Sequence, residues 1–356
     1  MTVGLFMLLG IFTLVVLNGR GGAGAEDGEA EGDGEIYGLQ DNRKSYSVGS
    51  RAYKVAVIAD MDKGSLVEGH KGGLWQSQLR EGVLTRGEDG SYRVEWEPLP
   101  TTFSSNLNEG GRSMELSALA WFSGRLLSFD DRTGVVFELD LEEGLAIPQS
   151  ILMDGGGRSG KGFKSEWATV KGKRLYVGST GKEWTNAKGE VENLHPLWVK
   201  QLSPSGSVAH LNWTPVYDQL RAMLRAEWPG YVLHEAVVWN NLERRWYFFP
   251  RRVSREMYDE VTDELRGANA VVSCDELFRD FRLSSLGPHH PTHGFSAAQF
   301  VPWREDEVVV LKTEEHNGKT GTYIAVYRLD GTVLMPESFI EGVKYEGLEF
   351  LPQSRV

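Results

Sequence analysis

The sequence predicts an all-β fold, a five-bladed β-propeller. Three observations carry this expectation. Short runs of β-forming residues alternate with turn signals, while helical periodicity is rare. Aromatic residues make up 11% of the chain and include 11 Trp, which suits half-buried strand positions. A weak internal repeat starts five times, at spacings of roughly 50 to 70 residues, the size of one four-stranded blade. An irregular β-sandwich is the alternative that five in-phase starts disfavour.

The chain opens with an apolar run, Val3 to Leu17, then Asn18-Gly19-Arg20 and small residues ending at Ala25. This pattern predicts a signal peptide over 1–25, cut near Ala23 or Ala25; the missing basic start leaves a signal anchor as the alternative. The apolar run is shorter than the ~20 residues of a membrane span. Residues 26–50, rich in Gly, Glu and Asp, predict a flexible linker. No long Pro/Gly/Ser stretch follows, so 51–356 is expected to form one domain, ordered from near Tyr53. The expected location is the secretory pathway (endoplasmic reticulum or Golgi lumen) or the cell exterior. The sequon Asn212-Trp213-Thr214 supports this, and the ending Gln353-Ser-Arg-Val356 is not a retention signal of the KDEL type. The single cysteine, Cys274, excludes an internal disulfide. A net charge of -12 argues against a nucleic-acid partner. A membrane partner is expected only if the N-terminal segment stays as an anchor, and a homodimer is left open.

Strand-like runs include Tyr53-Lys-Val-Ala-Val-Ile-Ala59 and Gly134-Val-Val-Phe-Glu-Leu139. One helix is expected over Pro215 to Glu227, with Val216, Leu220, Met223 and Leu224 on one face and Pro229-Gly230 beyond it. A shorter one is expected around Ser254 to Glu264. The repeat begins at Ser117, Glu166, Glu235, Ser296 and Glu346. In the first two copies a second strand starts nine residues on, at Leu126 and Leu175. The fifth start, Glu346-Gly-Leu-Glu-Phe350, lies at the C-terminus. Its partners would be the N-terminal strands near Tyr53 and Tyr92, which closes the ring without an open edge.

The first strand of a propeller blade lines the central channel, so Ser117, Glu166, Glu235, Ser296 and Glu346 should face one axial point. Three carboxylates converging there would repel unless a cation joined them. Oxygen ligands without His or Cys select a hard ion, calcium or magnesium, over zinc. Beside this centre three segments carry chemistry: Asp60-Met-Asp62 after a strand, Asp130-Asp131-Arg132-Thr-Gly134 in a turn, and Lys312-Thr-Glu-Glu315 at a strand end. An Asp-x-Asp pair can hold metal-bound phosphate or polarise water. Asp-Asp-Arg-Thr-Gly is equally a plain turn.

Other signals lead elsewhere. Gly155 to Gly162 nearly spells a P-loop, but Gly162 replaces the magnesium-binding Ser or Thr and no helix follows. His289-His-Pro-Thr-His293 lacks the spacing and the helix of a zinc site. No Gly-x-Ser-x-Gly elbow occurs, and Cys274 has no His partner in view.

Several segments together resemble the soluble calcium-activated nucleotidases, a family similar to the salivary apyrases of blood-feeding insects. They include Ile58-Ala-Asp-Met-Asp62, Met114-Glu-Leu-Ser117, Asp130-Asp-Arg-Thr-Gly-Val-Val136, Gly162-Phe-Lys-Ser-Glu-Trp167, Gly181-Lys-Glu-Trp184, Pro250-Arg-Arg252, Pro291-Thr-His-Gly-Phe-Ser296 and Lys344-Tyr-Glu-Gly347. The match runs from about Tyr53 to Phe350. The resemblance implies a five-bladed propeller with one calcium ion near its centre, held by Ser117, Glu166, Glu235, Ser296 and Glu346. It implies hydrolysis of nucleoside di- and triphosphates, often with GDP and UDP preferred, and acidic residues needed for activity at Asp60 and Asp131. The expected mechanism is direct attack of water on the terminal phosphorus, with Asp60 or Asp131 orienting or deprotonating it. Asp62, Arg132, Arg251 and Lys312 would contact phosphate, and Trp167 and Trp184 are candidates either for stacking on the base or for buried packing between blades. The rival class is a calcium-stabilised binding propeller without catalysis. A propeller lactonase or phosphotriesterase is disfavoured, because those sites draw on Asn, Asp and His.

Overall fold

The structure, a computed structural model, describes residues 46–186 and 188–353. The expected signal segment and the linker up to residue 45 lie outside the described residues. Strands β1 (Ala52–Ala59), β2 (Trp75–Arg86), β3 (Tyr92–Trp96) and β4 (Thr101–Ser105) belong to a sheet whose innermost member is the last strand of the chain. Strands β3 and β4 share one edge of β2, at Gly82 to Arg86 and at Trp75 to Leu79 respectively.

Four sheets of four strands follow. The first holds β5 (Leu116–Phe122), β6 (Arg125–Asp130), β7 (Val135–Asp140) and β8 (Leu145–Ile151). The second holds β9 (Trp167–Lys171) and β10 (Arg174–Gly178). After a hairpin of β11 (Trp184–Thr185) and β12 (Val191–Asn193) it continues with β13 (Trp198–Leu202) and β14 (Val208–Asn212). The third is β15 (Tyr231–Asn240), β16 (Arg245–Ser254), β17 (Ala270–Asp275) and β18 (Arg282–Ser285). The fourth is β19 (His293–Val301), β20 (Arg304–His316), β21 (Lys319–Arg328) and β22 (Val333–Glu341). The last strand, β23 (Tyr345–Phe350), returns to pair with β1, with Val57 opposite Leu348 and Val55 opposite Phe350. The expected five-bladed propeller is therefore present, closed by the two ends of the folded chain.

The innermost strands β5, β9, β15, β19 and β23 pack side by side in a ring. Every residue of β23 is buried, whereas every residue of the outermost strand β18 is exposed. Strand alternation explains how each blade serves two neighbours. In β1, Ala56 and Ile58 pack with Leu116 and Leu119 of the next blade, while Val55 and Val57 pack with Val309 and Leu311 of the preceding one. Similar apolar seams join the remaining blades, and Trp167, Trp213 and Trp246 dominate the seam between the second and third.

The amphipathic stretch forms α1 (Thr214–Leu224), three residues shorter at its end than expected. Pro215 suits the first turn, and Arg225 stops the helix in a left-handed conformation, φ 55°. Within the second expected stretch only α2 (Glu260–Asp263) is helical. Tyr46 also belongs to the packed unit, although the sequence places it in the linker. Its ring meets Tyr53 at 5.1 Å and its hydroxyl donates to the Leu351 carbonyl at 2.6 Å.

Candidate active site

The repeat starts fall on or just before the innermost strands, and all five residues are buried: Ser117, Glu166, Glu235, Ser296 and Glu346. Ser296 Oγ donates to the Tyr345 carbonyl at 3.0 Å and Ser117 Oγ lies 3.4 Å from the Glu115 carbonyl, so each hydroxyl oxygen keeps lone pairs for a further partner. Burial pushes the Glu166 carboxyl up to about 8, helped by nearby Glu235 and Asp131 and opposed by Lys164. Burial also drives Glu346 well above the usual carboxylate range, with Glu235 and Asp60 adding to the rise and Lys344 and Arg251 opposing it. Carboxylates that raise one another in this way form a centre that favours positive charge. An all-oxygen donor set of this kind suits a hard ion such as calcium.

Three cations reach among these acids. Lys164 Nζ pairs with Glu166 at 2.8 Å and with Asp131. Lys344 Nζ lies 2.7 Å from Asp60, 2.9 Å from Asp62 and 3.6 Å from Glu346. Arg251 pairs with Glu346 at 2.8 Å, and with Glu235 and Glu315. Despite burial, these acids hold all three cations well above their ordinary values.

The rim is built from the ends of second strands. Asp60 follows β1 and Asp131 follows β6. Glu115 joins them, because an isolated bridge pairs it with Asp60 and its carbonyl accepts from the Asp131 amide at 3.0 Å. Carboxylate oxygens of Asp60, Glu115 and Asp131 lie within 4.8 Å of one another, and all three residues are buried. Among the described residues this trio, not the innermost glutamates, is the acid group compact enough for one ion to touch three carboxylates. Burial pushes Glu115 up to about 7, with Asp131 and Asp60 raising it and Arg112 opposing. Arg112 Nε donates to Glu115 at 2.6 Å. Burial alone would raise Asp60, but Lys344 overrides it and holds the group below its usual range. Asp131 Oδ1 is buried with no hydrogen-bond partner.

The other sequence-nominated residues divide. Asp62 joins through Lys344, and Arg251 sits at the heart of the cluster. Arg132 instead faces Glu109 at 3.6 Å. Lys312 is a correction: it is fully buried, paired with Glu337 at 2.7 Å and held over the Phe295 ring at 4.8 Å. Its strand position predicted a rim cation, but Glu337 and His293 draw it into a separate polar cluster on the fourth blade. Trp167 takes the second of its two expected roles, packing between blades. Its indole lies in the aromatic seam against Trp213, with Nε1 donating to the Ser179 carbonyl at 3.1 Å, so no base can reach its face. Trp184, in the hairpin inserted after β10, stays half-buried, with Lys161 Nζ 5.0 Å over its ring.

The P-loop-like run is packed at its start and exposed at Gly160 and Lys161. A Cβ on Gly155 or Gly157 would strike His195 or His210, at 2.6 and 2.2 Å, so these two glycines serve close approach, whereas Gly160 meets nothing within 4 Å. Sequence reasoning missed Glu115, Lys164 and Lys344 as members of the cluster, and in the segment Lys312 to Glu315 it chose Lys312 where Glu315 is the residue that joins. A signal was present: Glu115, Lys164 and Lys344 each stand two residues before a repeat start, a spacing that keeps strand neighbours on one face.

A five-bladed propeller with buried carboxylates and fixed cations gathered at one end of its axis defines a class of protein suited to binding a hard cation and an anionic substrate. The Apyrase family profile matches residues 61–351. Soluble calcium-activated nucleotidase 1 of Rattus norvegicus is 46% identical over 305 residues, covering 85% of this chain and 75% of its own. The apyrase of Cimex lectularius is 41% identical over 303 residues, covering 84% and 82%. Apyrase apy-1 of Caenorhabditis elegans is 40% identical over 313 residues, covering 86% of each. This chain belongs to the apyrase family.

Proposed function

We propose that this protein is a calcium-dependent nucleotide-hydrolysing enzyme. It cleaves the terminal phosphoanhydride bond of nucleoside diphosphates, with GDP and UDP preferred, and of triphosphates, releasing inorganic phosphate. The observation that carries this reading is the rim trio Asp60, Glu115 and Asp131 set beside Lys164, Lys344 and Arg251. Acids that can take a proton from water stand next to cations that can hold phosphate oxygens, which is the pairing phosphoryl transfer requires. A module that only binds has no use for that pairing.

By the family resemblance, Ser117, Glu166, Glu235, Ser296 and Glu346 would hold the calcium ion, with hydroxyl oxygens of the two serines completing what the glutamates do not supply. When bound, it supplies charge neutralisation to phosphate oxygens. Lys164 and Lys344 flank the phosphate and offset the charge that gathers on the leaving oxygen. Asp60, held ionised by Lys344, or Asp131, with one oxygen free of partners, orients the attacking water and accepts its proton. Asp62 steadies Lys344. Trp184 offers the nucleobase a face. The preference for GDP and UDP rests on the family resemblance. A secretory or extracellular location follows from the N-terminal sequence, and no helix among the described residues is long and apolar enough to cross a membrane.

The test is phosphate release from GDP, UDP, ADP and ATP by the purified protein with calcium, with magnesium and with chelator. Calcium-dependent release is expected, fastest with GDP and UDP. No release under any condition, with calcium still raising the melting temperature, would leave the binding propeller as the function.

A further inference from the structure

Arg251 lies on β16, beside the bulged pairing that sets Leu233 against Arg252 and His234 against Pro250. From there its guanidinium reaches acids on three blades. One terminal nitrogen donates to Glu346 at 2.8 Å and to Glu235, and the other donates to Glu315. Two of these acids, Glu235 and Glu346, are also members of the five-residue oxygen set. Resting on the reading of that set as the calcium ligands, we propose that Arg251 competes with calcium for Glu235 and Glu346, and turns to the substrate phosphate when those glutamates hold the ion.

The electrostatics support competition. Arg251 occupies one oxygen of Glu235 and one of Glu346, and a divalent ion on the remaining oxygens would stand a few ångströms from the guanidinium, where two cations in a buried site repel strongly. Arg251 is buried, so its charge needs an anionic partner at all times. Once Glu235 and Glu346 are engaged elsewhere, Glu315 remains to hold one side of the guanidinium. Glu315 lies one residue from the end of β20 and is about a third exposed, so this side of the guanidinium is the one nearest solvent. Phosphate fits that planar fork in two-point contact. Lys344 is less suited to this role, since its short contacts are to Asp60 and Asp62 and Glu346 lies at 3.6 Å. Arg251 thereby links the two ligands, each making the other bind better.

The experiment is calcium binding without nucleotide, measured by isothermal titration calorimetry on wild type, Arg251→Gln and Arg251→Lys. Arg251→Gln should bind calcium roughly ten-fold more tightly, the scale of an ordinary coupling between two ligands. Its KM for GDP should rise. Arg251→Lys, which keeps one point of contact, should fall between wild type and Arg251→Gln, and it serves if the glutamine variant does not fold. A merely structural arginine would weaken calcium and GDP together. Calcium affinity equal to or below wild type in these variants overturns the exchange. Unchanged calcium affinity in Glu235→Gln and Glu346→Gln overturns the ligand assignment itself, which separates the two failures.

Discussion

Lys164 stands to Asp131 as Lys344 stands to Asp60: each ammonium joins a rim aspartate to an innermost glutamate two residues along the chain. The geometry is not a strict repeat. Asp60 belongs to the same blade as Lys344, whereas Asp131 reaches Lys164 from the preceding blade. The outcome is two fixed cations on either side of the Asp60–Glu115–Asp131 trio. Lys164→Met and Lys344→Met should each lower kcat/KM for GDP by roughly 10- to 100-fold, the worth of one charge-assisted hydrogen bond. Steady-state phosphate release checks this; a change below two-fold in both variants would remove the lysines from substrate binding.

Asp60→Asn and Asp131→Asn keep shape and remove the acceptor for a proton. Each should cut kcat by roughly 100- to 10,000-fold if it serves as the base, with KM little changed. The variant that merely positions water should lose less. Rates measured at saturating GDP and calcium separate the two, and wild-type turnover in both would exclude an aspartate base.

The fold was legible because each blade repeats one pattern. Ser117, Glu166, Glu235, Ser296 and Glu346 recur in phase, and the strand begun near Glu346 pairs with β1, Val57 opposite Leu348. The site was only half legible. Asp60 and Asp131 directly follow second strands, where a carboxylate is conspicuous, and Arg251 lies within one, β16, in the run Pro250-Arg-Arg252. Glu115 and Lys344 look like solvated strand-end charges until the ring brings them together. Lys312 was misassigned for the opposite reason. Its sequence neighbourhood looks chemical, but only the three-dimensional packing reveals Glu337 beside the lysine, just as it decides between stacking and packing for Trp167 by setting Trp213 beside the indole.

Stability in chelator should fall as pH rises from about 5 to 8. Glu115 and Glu166 have folded values of about 7 and 8, above the ordinary 4.5, and Glu346 is also raised. A group raised by folding stabilises fully below its unfolded value, and that contribution is lost as pH climbs through its folded value. Asp60 is lowered, so its contribution is lost only in acid, below this window. Calcium should cancel much of the loss, since it favours ionised glutamates, so the melting-temperature gain on adding calcium should grow between pH 5 and 8. Thermal melts across that range with calcium or chelator check it. A chelated protein that gains stability towards pH 8 would contradict the raised carboxyls.

Trp184 and Trp167 should part company when each is changed to alanine. Trp184 is half-buried in the hairpin after β10, with Lys161 Nζ over its ring. A base stacking there would gain roughly 1–3 kcal/mol. Trp184→Ala should therefore raise KM for GDP and UDP by roughly 5- to 150-fold. Inorganic pyrophosphate has no base, so its hydrolysis should be unaffected. Trp167→Ala removes a buried indole from the seam between the second and third blades and should cost about 3–5 kcal/mol of stability without favouring pyrophosphate over nucleotide. The pair of substrates is the control that matters: if Trp184→Ala slows pyrophosphate and GDP alike, the indole supports the hairpin and does not touch the base.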